Sequence, residues 1–307
     1  MWSMERIDRT DGAPAGVAPV DAPARRRGRD SPIVEWSAWA APAALVAALL
    51  GATVAGAIVD VPAAVLGAVK LNSSNLPGWM ELLDTVVQDA VFVGTALLFA
   101  SLGGRAVRAW QLGLRPAPLW RSAVLVGVTY LATFVVTVVW AALLGVSTKE
   151  KLLEQLGANE ATSLLLLSAA LTCVVAPVSE EILFRGFIFS ALRKWRGPWI
   201  AAVLDGLMFG AVHAASAPAA DLVPLAVLGF ALCLLFRATG SLYPCIATHS
   251  LNNSIAFGVL EGWSWQIPIL AVCSLAILTL IAWVQRRIDS STGPAPPPGA
   301  PAVSAAS

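Results

Sequence analysis

Three charged side chains that can do acid–base chemistry lie inside one of the most hydrophobic regions of this sequence. The stretch SEEILFRG places two adjacent carboxylates, Glu180 and Glu181, close to the guanidinium of Arg185. A charged side chain at the centre of a bilayer costs about 2.5–3.5 kcal/mol even on insertion-based scales. We therefore expect these residues either to serve a function or to form a structural ion pair.

Helical spacing gives the two carboxylates different surroundings. Glu181 and Arg185 stand at positions i and i+4, where side chains of one helix can form an ion pair. Glu180 points roughly 100° away and can face another helix. We predict that Arg185 neutralises Glu181 and that Glu180 stays available for chemistry.

The chain has only two histidines, His213 and His249, and both lie in apolar segments. Gly197 and Pro198 predict a tight turn between two helices. Glu180 and His213 each lie about 21 Å from this turn, at 1.5 Å per helical residue. An antiparallel hairpin would set them level with each other, so that they can meet.

Further residues extend this polar set. Phe209 precedes His213 by one helical turn, where its ring can limit water access. His249 and Asn253 share one face of a later helix, so both can donate hydrogen bonds to one oxygen, as an oxyanion hole requires. Glu180, His213 and His249 could also ligate zinc.

A structural role is the alternative for each of these side chains. A histidine in a helix is often a packing residue, and an asparagine in a membrane helix commonly bridges helices through hydrogen bonds. Other polar residues of the apolar segments are expected to form such contacts or to line a cavity: Asp84, Gln88, Asp89 and Asp205. The conjunction of both histidines with a glutamate and an asparagine on three helices favours a functional site.

Composition indicates the class of protein that carries these residues. Of the 307 residues, 57% are hydrophobic and only 13% are charged, about half the charged fraction of a soluble domain. The mean hydropathy is +0.74. These values predict an all-α, polytopic protein of the lipid bilayer. The net charge is +1 and the basic residues are scattered between apolar runs, so no nucleic-acid partner is expected.

Eight apolar stretches are long enough, or nearly so, to cross about 30 Å of hydrocarbon as helices. They cover 36–59, 82–103, 121–145, 162–193, 198–215, 221–237, 242–260 and 265–284. The fourth, fifth and seventh contain the polar set and are expected to form the cavity of the site. They belong to a transmembrane domain over 33–287, between disordered tails at 1–32 and 288–307.

Loop charges predict the orientation of the chain. Lysine and arginine number sixteen on one side of the eight-span topology and three on the other, which places both termini in the cytoplasm. The alanine-rich composition and the preference for arginine over lysine suit a high-GC bacterial genome. We therefore expect an integral protein of a bacterial cell membrane.

At these residues the sequence resembles the CAAX protease and bacteriocin-processing (CPBP, or ABI) family, which includes the type II CAAX prenyl endopeptidases. That family carries Glu-Glu-x-x-x-Arg, Phe-x-x-x-His and His-x-x-x-Asn motifs on successive membrane helices. They stand here, in order and without departure, at 180–185, 209–213 and 249–253. The flanking RGF and the QLGLRP of 111–116 are also similar, and the motif-bearing resemblance covers 160–260, about a third of the chain.

The resemblance implies an eight-helix intramembrane endopeptidase whose cavity opens towards the cytoplasm. Glu180 would be the general base, activating a water together with His213. His249 and Asn253 would stabilise the developing oxyanion, and the rest of the first motif would orient and charge-balance the base. No serine or cysteine is clearly paired with a histidine as a nucleophile, so direct attack by water is favoured over an acyl-enzyme.

Members of the family have been described both as metalloproteases and as glutamic proteases. An HExxH motif is absent, so a metal-independent glutamic mechanism is favoured, with a zinc enzyme as the alternative. The expected substrate is a peptide or protein at the membrane, and the sequence gives little reason to select a prenylated one. A non-catalytic scaffold and a proton-coupled transporter that uses the same Glu and His core are the other hypotheses.

Overall fold

The computed structural model describes residues 36–67, 76–102, 104, 106–145 and 162–291. Every regular element in these ranges is helical and none is a strand, which confirms the predicted all-α class. The predicted N-terminal tail lies outside the described residues. So does the predicted C-terminal tail beyond residue 291, where the last helix ends.

Long helices make up most of the described chain. They are α1 Ala40–Val65, α2 Gly78–Ala100, α3 Leu119–Leu144, α4 162–195, α5 198–212, α6 Leu222–Thr239, α7 Leu242–Leu260 and α8 Gln266–Ser291. Short 3-10 turns occur at Ala109–Leu112, His213–Ala215 and Ala219–Asp221. α4 and α5 are continuous except at Arg196 and Gly197, where the backbone leaves the helical conformation.

Six helices of the described ranges are long and apolar enough to cross a membrane. They are α1, α2, α3, the joined α4 and α5 (Thr162–Ala215), α6 with the turn before it, and α8. α7 is not among them because its histidine and two asparagines lower its hydropathy. The polytopic membrane protein is thus confirmed, whereas the number of eight spans stays a prediction.

α4 is the central helix of the fold. Every residue of Ile182–Phe189 is buried, and α1, α2, α5, α6 and α7 pack around this segment. Two parts of α4 are π-helical, Leu171–Val175 and Ile182–Phe189. In a π-helix each backbone hydrogen bond reaches the fifth residue along the chain instead of the fourth. Short π-helical parts are found frequently at functional sites. Here they flank the two adjacent glutamates.

α4 and α5 form the antiparallel hairpin that the sequence predicts. Gly197 has a φ of +80°, a left-handed conformation that glycine adopts without steric cost, and Pro198 begins α5. On the returning arm, Asp205 and Phe209 face Arg185, whose guanidinium lies 4.5 Å from the centroid of the Phe209 ring. These contacts confirm the predicted turn.

Glycines let the backbones of α5 and α6 touch. A Cβ atom on Gly206 would lie 2.7 Å from the carbonyl oxygen of Ala226, and one on Gly210 would lie 2.6 Å from that of Leu222. Small residues one turn apart allow membrane helices to approach closely. This contact fixes α5 against α6, and with it the histidine at the end of α5.

The QLGLRP segment holds the start of α7. Leu242, the first residue of α7, donates its N–H to the carbonyl oxygen of Gly113 over 2.8 Å. Arg115 reaches the same turn, where its Nε donates to the carbonyl oxygen of Gly240. Burial, together with the charge of the nearby Arg193, lowers the pKa of Arg115 from its ordinary value. The helix that carries the second histidine is therefore tied down at its first residue.

Gly206→Ala is expected to destabilise the protein by about 1–3 kcal/mol, because the new methyl group would overlap backbone atoms of α6. Unfolding by SDS in mixed micelles measures the free energy of unfolding. Gly94→Ala on α2 is the matched control, since a Cβ atom there meets nothing within 4 Å. Equal stability of the two variants would contradict the close approach of α5 and α6.

Candidate active site

The guanidinium of Arg185 is the centre of a buried polar cluster. Its Nη1 donates to Oε1 of Glu181 over 2.9 Å, and its Nη2 donates to the carbonyl oxygen of Gly229 over 3.0 Å. Its Nε lies 3.6 Å from Oδ1 of Asp205. All three charged side chains are fully buried. The predicted ion pair of Glu181 and Arg185 is therefore present, with Asp205 as a further carboxylate.

Glu181 connects this cluster to α7. Its Oε1, which accepts from Arg185, also lies 3.0 Å from Nδ1 of His249. Because an ionised carboxylate can only accept hydrogen bonds, Nδ1 carries a proton and donates it. The other ring nitrogen, Nε2, lies 3.9 Å from Oε2 of Glu180. His249 thus stands between the two adjacent glutamates.

Glu180 is more accessible than its neighbour. Its side chain is 12% exposed, whereas that of Glu181 is 0% exposed. Among the described residues, Oε2 of Glu180 has no hydrogen-bond partner. Its Oε2 faces Nε2 of His249, and the described residues include no hydrogen bond or ion pair between Glu180 and His213. The hairpin is present as predicted, but the imidazole that the described residues bring to this carboxylate is that of His249 on α7.

His213 turns back towards its own helix, at the point where α5 ends. Its Nδ1 lies 2.7 Å from the carbonyl oxygen of Phe209 and donates to it, since a carbonyl oxygen can only accept. In the neutral ring, this bond selects the tautomer with a lone pair on Nε2. The rings of His213 and His249 lie 4.9 and 5.5 Å from the ring of Phe209. Phe209, which is fully buried, therefore packs against both imidazoles.

Asn253 contacts the first π-helical part of α4. Its Nδ2 donates to the carbonyl oxygen of Thr172 over 2.9 Å, and the Ser250 hydroxyl donates to that of Cys173. These bonds align α7 along α4 and place His249 at the height of the glutamates. One N–H of the Asn253 amide is used in this way, and the second can serve another acceptor.

Asp205 belongs to the cluster, although the sequence suggested only a helix contact or a cavity lining for it. Its Oδ1 accepts a hydrogen bond from the thiol of Cys233 over 3.1 Å and also faces Arg185. A signal was present in the sequence, because Asp205 lies two turns before His213 on one stripe of α5. Only the fold shows that this stripe faces Arg185.

Asp89 of α2 adjoins the site from another side. Its side chain is buried and accepts a hydrogen bond from the hydroxyl of Ser179, the residue before Glu180. The contact joins residues 90 positions apart, so no spacing rule could have found it. Asp84, on the same helix, faces Gly56 of α1.

Within the described ranges, no group of three or more His, Cys, Asp or Glu side chains is arranged to hold a metal ion. The predicted zinc ligands Glu180, His213 and His249 do not form such a group. His249 faces Glu180, whereas the Nδ1 of His213 is bound to a backbone carbonyl oxygen.

Arg185→Met is expected to destabilise the fold by about 3–5 kcal/mol, because it leaves Glu181 and Asp205 buried without a cation. SDS-driven unfolding measures the loss. Arg237→Met is the control: this arginine is exposed beside Trp199, and its replacement should change stability by about 0.5 kcal/mol or less. An Arg185→Met protein as stable as the control would contradict the role given to the guanidinium.

Comparisons with known proteins agree with the motifs. A family model described as type II CAAX prenyl endopeptidase Rce1-like matches residues 162–255, from α4 into α7. The Bacillus subtilis (strain 168) protein named "Putative membrane peptidase YdiL" is 31% identical over 81 residues. This match covers 26% of the chain and 32% of the relative, so the chain spans about a third of the relative's length. No solved structure matches the chain. The matched segment contains all three motifs, and both comparisons therefore support the resemblance of this part of the chain to the CAAX protease and bacteriocin-processing family of membrane peptidases.

Proposed function

We propose that the chain is an intramembrane endopeptidase, which hydrolyses a peptide bond of a membrane-associated or lipidated peptide with a water activated by Glu180. The matching family model is named for prenyl endopeptidases and the curated relative for a membrane peptidase. Peptide hydrolysis at a membrane is the chemistry common to both names. The substrate is expected to reach the site from the cytoplasmic side, towards which the resemblance to the family implies that the cavity opens.

One observation carries the proposal. A carboxylate oxygen of Glu180 that has no hydrogen-bond partner among the described residues lies 3.9 Å from Nε2 of His249. A water molecule can hydrogen-bond to both atoms at this separation. Glu180 is also the most exposed acid of the cluster, whereas Glu181 is held by Arg185 and His249. The arrangement therefore supplies one free base beside one fixed imidazole.

In the proposed reaction, Glu180 takes a proton from the water as the water oxygen attacks the scissile carbonyl carbon. The lone pair on Nε2 of His213 accepts the second hydrogen of this water. An N–H on Nε2 of His249 would donate to the oxyanion, and the unused N–H of Asn253 would be the second donor. The protonated Glu180 then gives its proton to the amine nitrogen. The C–N bond breaks, and a carboxylic acid and an amine are released.

Glu180→Gln is expected to lower cleavage by about a hundredfold or more, because an amide cannot accept the proton of the water. The change is nearly isosteric and should leave the fold intact. Wild type and variant are reconstituted in liposomes with a farnesylated CAAX peptide or with a membrane-protein fraction. Mass spectrometry of new peptide termini measures cleavage.

Asp84→Asn is the matched control, since it makes the same carboxylate-to-amide change on α2, where Asp84 faces Gly56 of α1. Equal cleavage by wild type and Glu180→Gln would refute the glutamate mechanism. A folded wild type that produces no new termini from either source would refute the peptidase. Flux driven by a pH gradient and lost in Glu180→Gln would favour the proton-coupled transporter.

Cleavage is also expected to persist after exhaustive treatment with 1,10-phenanthroline and EDTA, because a carboxylate and two imidazoles can activate water without a metal. The metal content of the treated protein is measured by mass spectrometry. A zinc peptidase treated in parallel shows that the chelators work. Activity that is lost on chelation and restored by zinc would refute the metal-independent mechanism and favour the zinc alternative, in which Glu180, His213 and His249 would have to come together to hold the metal.

A further inference from the structure

Arg185 is held by two carboxylates, although one would neutralise it. Glu181 on the same helix accepts from Nη1, and Asp205 on α5 lies 3.6 Å from Nε. Both carboxylates are fully buried, where an ionised group carries an effective penalty of several kcal/mol. A neutral residue at position 205 would avoid this penalty. The second negative charge therefore needs a reason other than stability.

The position of Asp205 beside Nε restricts the directions in which the guanidinium can face. The guanidinium is planar, and its N–H groups form a rigid fork. With Asp205 beside Nε and the carbonyl oxygen of Gly229 on Nη2, Nη1 is left pointing at Glu181. The Cys233 thiol donates to the same oxygen of Asp205 over 3.1 Å and so holds this carboxylate in place.

The orientation of Arg185 affects the orientation of His249, because both side chains donate to Glu181. A single oxygen of Glu181 accepts from both, over 2.9 Å from Arg185 and 3.0 Å from Nδ1 of His249. If Asp205 were neutral, the guanidinium would pair with Glu181 alone, and this oxygen would be a weaker acceptor for His249. The imidazole would then be less firmly held, and its Nε2 would no longer face Glu180 at a fixed place.

We propose that Asp205 is a positioning residue: its charge divides Arg185 between two carboxylates, so that Glu181 keeps His249 turned towards Glu180. The consequence for catalysis rests on the proposed function. The positioning itself does not, because the state of His249 can be measured without a substrate.

Asp205→Asn removes the charge and keeps the shape of the side chain. Because the chain has only two histidines, acylation by diethyl pyrocarbonate can be followed at His249 and His213 separately by mass spectrometry. We expect His249 to react about fivefold faster in the variant, the factor that corresponds to one lost hydrogen bond. The rate at His213 should stay unchanged, and in Asp84→Asn both rates should equal those of the wild type.

Kinetics on a peptide that the wild type cleaves give a second readout. Asp205→Asn should lower kcat about tenfold at an unchanged KM, because the chemical step and not substrate binding is disturbed. In a Glu181→Gln background the same change should have little further effect, since Asp205 acts through Glu181. If Asp205 had a purely structural role, the losses of kcat in Asp205→Asn and in Glu181→Gln would multiply in the double variant.

Unchanged acylation of His249 in a folded Asp205→Asn protein would overturn the inference. An equal rise at both histidines would also overturn it, because it indicates general loosening. If Asp205→Asn does not fold, Asp205→Ser is tested, and failure of both to fold would assign a structural role only.

Glu180→Gln, measured alongside, separates the two proposals. If it is inactive while Asp205→Asn has the wild-type kcat and His249 rate, only the positioning role fails. If it cleaves like the wild type, the proposed function fails and acylation still decides the role of Asp205.

Discussion

The whole site depends on one buried ion pair, between Glu181 and Arg185. Neither charge could be kept in an apolar core alone, because removing one partner leaves the other without compensation. Once paired, the two side chains join three helices: α4 carries both, α7 brings His249 to the carboxylate, and α5 brings Asp205 to the guanidinium. The pair also distinguishes the two adjacent acids. Glu181 has an ion-pair partner on α4, Arg185, whereas Glu180 has none among the described residues of that helix.

The π-helical parts of α4 suit this junction. In the first part, two carbonyl groups accept hydrogen bonds from Ser250 and Asn253, so α7 is held in a fixed register along α4. In the second part, every side chain of Ile182–Phe189 is buried, so this segment has neighbours on all sides. The polar side chains of this region differ in exposure, from the fully buried Arg185 to the partly exposed Glu180. A protected charge and an accessible base are thus combined within six residues.

Local spacing determined much of this in advance. The i and i+4 positions of Glu181 and Arg185 bring them together in any helix, and a glycine followed by proline turns the chain wherever it stands. Composition likewise fixed the all-α membrane class, because so few charged residues cannot cover a soluble surface. The three motifs, read in order, indicated the family whose model matches residues 162–255. These features were predictable because each depends on neighbours in the sequence or on the chain as a whole.

Only the tertiary structure decided which side chains meet across helices. It gave Glu180 the imidazole of His249 rather than that of His213, and it bound Asn253 to a backbone carbonyl of α4. It also placed Asp205 and Asp89 against the site. Such contacts depend on how each helix is rotated about its axis, and every π-helical turn changes that rotation. The sequence by itself therefore determined the chemical groups and the fold class, while the packing of α4, α5 and α7 determined their partners.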